Sequence, residues 1–338
     1  MQYLLQIRQI QQVIANALTL NDAIILRVSS QIANHFLPVL RRNHYPYGVE
    51  VVADPYDVFA PGSVRHPLRR FFRWLFPRQL RQLCTEACAA AYVTEHALQH
   101  RYPPGRKTFS TYFSDVDLPH SAFVCLPRIP TLTKDFVSLI YVGTMNQLYK
   151  APDVLIEAVA RCIGEGLNLK LVLIGDGKHR AELEAKAAFL GVGEHVNFLG
   201  WLPAGNAVRT QLDRADLFVL PSHQEGLPRA MVEAMARGLP CIGSTVGGIP
   251  ELLVCEDLVP PKDVIALTHK IREVVTDPER MARMSVRNLQ KAKKYTDEEL
   301  RERRIEFYSY IRETTQVWQN EQKQEYWQAL NQLENRPY

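Results

Sequence analysis

No apolar run in these 338 residues reaches the roughly 20 residues of a membrane-spanning helix. Met1–Leu18 also carries too many Gln and Asn for a secretory signal. The expectation is a cytoplasmic protein, soluble or peripheral on the inner face of the plasma membrane. Cysteines are few, six in all, and none of their spacings suits a metal site. Cys84 and Cys88 form a helical i, i+4 pair and the rest are scattered, so reduced, mostly buried thiols are expected. Excess charge of either sign is small as well: 40 basic against 36 acidic residues leave +4, too little to imply nucleic acid. A Gly-x-Gly-x-x-Gly opening a helix is missing, and Gly175-Asp176-Gly177 lacks its spacing, which disfavours a nicotinamide enzyme. Asp115-Val116-Asp117 is an Asp-x-Asp, but the metal-gathering form should end an apolar strand. Thr108–Asp117 is polar and reads as a loop, and no metal is expected.

What the chain does have is alternation. From Phe136 onward, strands at 137–142, 170–174, 195–199, 216–220 and 240–243 alternate with helices at 151–163, 178–190, 204–213, 228–237 and 263–275. That order predicts a doubly wound parallel sheet. Upstream, helix 3–18, strand Ala23–Val28, helix 30–42, strand Gly48–Ala53, strand Ala90–Thr94 and helix Glu95–Tyr102 outline a smaller α/β unit. Pro127–Pro130 marks a linker. Residues 1–130 and 131–295 are therefore expected as two Rossmann-like domains, with 296–338 a returning helix around 297–313 and a polar tail. An apolar content of 46% is ample for two cores.

One stretch carries the chemistry. Leu217–Leu220 is a short apolar run, as for a strand covered on both faces. Pro228 suits the first turn of the helix that follows, and Gly238 the position just past its end. Glu225 then sits in the loop and Glu233 on the helix, both toward the crevice above the sheet, where ligands of open α/β sheets bind. A carboxylate only accepts hydrogen bonds and can hold both hydroxyls of a vicinal diol. Free amides of Gly226, Leu227 and Arg229 at the helix start favour a diphosphate. By spacing alone, two Glu eight residues apart are simply the wet side of a helix.

The whole segment resembles the Glu-x7-Glu signature of retaining glycosyltransferase family 4. Glu225-Gly226-Leu227-Pro228 and Glu233-Ala234-Met235-Ala236 match it in type and position. The resemblance is dense over 136–313 and thinner before. It implies the two-Rossmann-domain GT-B architecture. It also implies retaining transfer of a sugar from a nucleotide diphosphate sugar to a glycan or lipid-linked acceptor, in polysaccharide or glycolipid assembly, without metal or other cofactor. Glu225 would orient the sugar and Glu233 the ribose. Lys150, beside Gly143 and Thr144, would reach the diphosphate, although relatives carry an Arg where Thr144 stands. Arg229 compensates, or is an exposed first-turn residue. Gly175 and Gly177 resemble the family's glycine turn. Val196 and Phe198 resemble the edge under the nucleotide base and are equally plain strand core. Asp54 stands where relatives often place a donor-contacting His, and is equally a turn residue before Pro55.

Two expectations concern the N-terminal half. Relatives open on an apolar strand and a glycine-bearing loop, whereas this chain opens on helix 3–18. The smaller domain is therefore expected to be incomplete at its start, weakly active, and prone to self-association through strand 23–28. A non-catalytic donor-binding or scaffold subunit of a polysaccharide assembly system is the alternative function. In residues 65–81, Arg65, Arg69, Arg70, Arg73, Arg78 and Arg81 stand among Phe71, Phe72, Trp74, Leu75 and Phe76. That is the composition of an interfacial helix on an anionic membrane, or of an ordinary helix with its aromatics inward.

Overall fold

The computed structural model describes residues 7–19, 22–28, 30–60, 66–116, 118–129 and 135–334. Residues 3–6 of the first expected helix, Arg65, Asp117 and Pro130 lie outside that description. Its frame is two parallel sheets, one four-stranded and one six-stranded.

In the smaller sheet β1 (Ile24–Val28), β2 (Tyr47–Val51), β3 (Ala89–Tyr92) and β4 (Phe109–Tyr112) lie side by side in chain order. Helices α1 (Ile7–Ala17) and α2 (Gln31–Arg42, capped by Ser30) flank β1 and its connection to β2. After β2 come α3 (Pro55–Val58) and α4 (Arg69–Glu86), and after β3 the short α5 (Ala97–Arg101). β2 and β3 are buried along their whole length, while β1 alternates, as an edge strand does. Thr108–Asp117 is not all loop. It contains β4, so the strand at Ala90–Thr94 is not the last of this domain. Ser110 and Thr111 suit a half-covered edge, and Phe109 stacks on Tyr310 with ring centroids 4.9 Å apart.

The larger sheet has the order β10-β9-β8-β5-β6-β7. Its strands are β5 (Val137–Val142), β6 (Leu169–Ile174), β7 (Val196–Gly200), β8 (Leu217–Leu220), β9 (Cys241–Ser244) and the two-residue β10 (Leu258–Val259). Between them run α6 (Pro152–Gly164), α7 (Arg180–Phe189), α8 (Asn206–Arg214), α9 (Arg229–Ala236) and α10 (Ile249–Leu252). Helices α11 (Val264–Val275) and α12 (Pro278–Ala292) follow β10. The chain moves outward from β5 to β6 and β7, then returns to lay β8 on the other side of β5. The strand order reverses there, so the carboxyl ends of β5 and β8 flank the crevice where such folds bind ligands.

Two segments join the sheets. Arg128, in the linker, donates to the carbonyls of Leu212, Ala215 and Arg237, occupying the ends of α8 and α9 that lack partners of their own. Its burial lowers the guanidinium pKa. The second crossing is α13, which runs from Asp297 to Glu334, twenty-one residues beyond the 297–313 helix expected. It packs on the smaller sheet through Phe307 and Ile311, both fully buried. Gly48 makes room for it: a Cβ there would lie 2.2 Å from the Ile311 side chain. Tyr308 donates to the Glu50 carboxylate at 2.7 Å, and Trp318 packs on Tyr45.

Candidate active site in the cleft between the sheets

The carboxyl ends of both sheets face a cleft of about 870 Å³. On the larger sheet, β5 ends at Val142 and β8 at Leu220, and the two loops that follow are stitched together. The His223 amide donates to the Tyr149 carbonyl at 2.6 Å. Lys150 donates to Glu225 Oε1 at 2.8 Å, and the Ser222 hydroxyl donates to the same oxygen at 2.8 Å. This ion pair is largely buried, with the Lys150 and Glu225 side chains 15% and 8% exposed. Ala151, next to Lys150, is held in the left-handed region (φ 54°), a conformation that non-glycine residues adopt at some cost. Beneath the pair lies Tyr141, fully buried, whose hydroxyl has no hydrogen-bond partner among the described residues. Burial, with Glu225 nearby, holds that phenol well above its ordinary pKa, so it stays neutral.

Glycines set the close approaches. Gly175 (φ +131°) lies against the Gly143 carbonyl, where a Cβ would come within 1.9 Å. Gly226 touches the opposite wall of the cleft: its Cβ would meet the Val52 carbonyl oxygen at 2.4 Å. Leu227 and Pro228 lead into α9, whose first residue is Arg229 and whose inner face, Met231, Val232, Met235 and Ala236, is fully buried. Glu233 and Arg229 line the cleft from that helix. At its far end Gly238 takes φ +68° and donates to the Met235 carbonyl, as a helix-ending glycine should.

Ten of the residues expected from sequence are thereby brought to one cleft: Glu225, Lys150, Asp54, Glu233, Gly143, Thr144, Gly175, Gly226, Leu227 and Arg229. Three lie off it. Gly177 (φ +155°) packs behind, where a Cβ would meet the Asn146 amide at 2.2 Å. Val196 starts β7, four residues or about 13 Å from its carboxyl end, and the Phe198 carbonyl accepts from Arg180. In their place Trp201 and Leu202, just past β7, line the cleft. The Gly200-Trp201 pair closing an apolar strand was the available signal.

Asp54 reaches the cleft but is fully engaged. Its Oδ1 accepts from the Tyr56 amide at 2.8 Å as the cap of α3, and also from the Tyr102 hydroxyl, while Arg101 pairs with Oδ2. Burial and Asp54 raise the Tyr102 phenol pKa. Asp57, one turn on, also lines the cleft, and burial with the Asp54 charge raises its carboxyl pKa. Other charged groups shape the cleft and its closure. Arg27 pairs with Asp115 on the cleft wall. Glu251 crosses between the sheets, accepting from the Glu95 amide at 2.7 Å, His96 at 3.0 Å and Ala97 at 2.6 Å. A carboxylate on a remote helix gives no sequence sign that it caps α5. Among the described residues no group of three or more His, Cys, Asp or Glu could hold a metal ion.

Two parallel α/β sheets facing each other across such a cleft define a fold of the GT-B type. Comparison with known proteins agrees. Residues 127–291 match the family model described as glycosyl transferases group 1, so the larger domain is a domain of that group. Over 256 residues, 75% of this chain, the sequence is 27% identical to protein CapJ of Staphylococcus aureus, covering 63% of that protein. A second relative is a GDP-mannose-dependent alpha-(1-6)-phosphatidylinositol dimannoside mannosyltransferase of Mycobacterium tuberculosis, 30% identical over 45% of this chain and 39% of its own length. The chain thus spans less than two thirds of these relatives. Among solved structures, HepE of Anabaena in complex with UDP superposes with a TM-score of 0.65 at 17% identity, covering 92% of this chain and 82% of that one. Sucrose-phosphate synthase of Thermosynechococcus elongatus gives 0.63 at 18% identity, with 88% and 73% covered.

Proposed function

We propose that the chain is a retaining glycosyltransferase of family 4, moving a sugar from a nucleotide diphosphate sugar to a glycan or lipid-linked acceptor in polysaccharide or glycolipid assembly. Residues 1–130 carry the acceptor side, 131–295 the donor side, and 296–338 the return to the first domain. The observation that carries this reading is the buried Lys150–Glu225 pair, set where the strand order reverses and beside the start of α9. The UDP held by HepE supports a nucleotide donor, and the phosphatidylinositol mannoside named for the mycobacterial relative supports a lipid-linked acceptor. An anionic membrane surface is the further partner.

Cleavage of the donor puts negative charge on the departing diphosphate. Lys150, the amides at the start of α9 and its dipole stabilise that charge without a metal. The acceptor hydroxyl attacks from the same face and passes its proton to the departing phosphate. Glu225 orients the sugar and Glu233 the ribose hydroxyls. Asp54, held by Arg101 and Tyr102, and Asp57, paired with the same Arg101 at 3.4 Å, form the acidic contact on the opposite wall. The test is thermal unfolding against a panel of nucleotide diphosphate sugars, followed by transfer assays with the donor that binds. A ligand at a hundred times its dissociation constant adds about 2.7 kcal/mol. No stabilisation by any member of the panel would overturn the proposal. Stabilisation without transfer to any acceptor would favour a donor-binding subunit.

A further inference from the structure

Helix α4 presents an unusual division of side chains. Its inner face is conventional: Phe72 and Phe76 pack on Phe59 with ring centroids 5.7 and 5.3 Å away, and Pro77, Leu80, Leu83 and Cys84 are buried. Three of its arginines serve the fold, Arg81 by donating to the Arg101 carbonyl at 3.1 Å. Arg69 donates to the Phe59 carbonyl, and Arg73 donates to the Tyr56 carbonyl with its guanidinium 3.9 Å over the Tyr56 ring. The outer face is the anomaly. Leu68, Phe71 and Trp74 are 54%, 49% and 58% exposed, and the exposed Arg70 and Arg78 stand among them. Phe71 and Trp74 touch at 6.1 Å, and Arg78 lies 5.8 Å over the indole. From His66 to Thr85 there is no Asp or Glu, and Glu86 at the end is paired with Arg41.

A helix that merely covers a core turns its large rings inward and mixes both signs of charge outward. This one does neither on its outer stripe. We propose that the outer face of α4 docks on an anionic phospholipid bilayer, with Phe71, Trp74 and Leu68 entering the interface and Arg70 and Arg78 among the head groups. Aromatic rings settle at the head-group level, and basic side chains beside them are drawn to anionic lipid. A fluid layer of phosphates can meet guanidinium groups wherever they point, so no fixed acidic counterpart is required. Helix α4 packs on α3, whose Asp57 and Val58 line the cleft. Docking therefore brings the acceptor wall of the cleft toward the membrane. That consequence rests on the proposed function, whereas the docking itself does not.

The test is co-sedimentation of the full chain with phosphatidylcholine vesicles, with and without phosphatidylglycerol. Binding is expected only with the anionic lipid and should fade with salt, since exposed charges are screened over about 8 Å at physiological strength. Arg70→Gln with Arg78→Gln should weaken it about 30-fold, from the usual contribution of a basic residue near such a surface. Phe71→Ser with Trp74→Ser should also weaken it, while thermal unfolding stays as in the parent because these rings are exposed. Equal binding to neutral and anionic vesicles would overturn the proposal. So would parental binding by both double variants, or a doubled mass in light scattering that Trp74→Ser abolishes, which would make the face a contact between copies. A chain that binds anionic vesicles but no nucleotide sugar would keep the docking and remove the proposed function.

Discussion

Replacing Lys150 by Met is the sharpest probe of the site. The change keeps most of the side-chain volume and removes the charge, leaving Glu225 in a pocket where its side chain is 8% exposed. Removing one member of a buried ion pair generally costs about 3–5 kcal/mol, because the survivor stays desolvated without its counter-charge. Glu225 keeps the Ser222 hydroxyl at 2.8 Å, which places the expectation at the lower end, about 3 kcal/mol. For a domain of this size that is a fall of about 6–12 °C in the unfolding midpoint. Adding Glu225→Gln should restore stability to within about 1 kcal/mol of the parent, since a neutral amide still accepts from Ser222 and no longer needs the ammonium. Chemical denaturation of the parent, both single variants and the double variant gives the coupling directly. Under the proposed function, the stabilisation by nucleotide sugar should disappear in the Lys150 variant and stay absent in the double variant. A single variant within about 0.5 kcal/mol of the parent, or additive single effects, would refute the buried pair as the organising contact.

Two further outcomes are expected. Glu251→Ala removes the acceptor of three amides across the cleft, a cap of about 1–2 kcal/mol. A shift of that size moves an equilibrium between closed and open domains about tenfold, so the radius of gyration in solution scattering should rise; an unchanged radius would contradict the clamp. Burial lowers the His223 pKa from its ordinary 6.5, with Asp153 opposing and Lys262 reinforcing. As pH falls the unfolded chain takes up this proton before the folded chain does, so stability present above about pH 6.5 is lost as pH drops through the folded value. His223→Gln should flatten acid unfolding in that window, and an unaltered slope would refute the assignment.

Legibility followed burial. β5, β8 and β9 are covered on both faces and announce themselves as apolar runs, and the loop between Leu220 and Arg229 could be placed because Pro228 and Gly238 bracket its helix. β4 escaped because an edge strand may carry Ser110 and Thr111, with its identity resting on Phe109 meeting Tyr310 from two hundred residues away. Helix α12 was missed although Asp277 caps it and Pro278 opens it, the combination that marks a helix start. In the site, Glu225 and the glycines were proposed from the resemblance of their segments to the family, since spacing alone leaves Glu225 and Glu233 as the wet side of a helix. Glu251 on α5 and Arg101 on Asp54 were not, because each depends on chain segments that only the fold brings together.

The paired crossings between the sheets have a mechanical consequence. The linker leaves the smaller domain beyond Leu118, and α13 returns at Asp297, whose amide donates to the Leu118 carbonyl at 3.1 Å. The two passages lie against each other, so they act as the pin of a door. Sliding or separation of the halves would have to break both, while rotation about the pin strains neither. Opening of the cleft then reduces to one angle, and the sweep of any group grows with its distance from the pin. A protease cut in the linker would leave the halves tethered by α13, turning on the same axis.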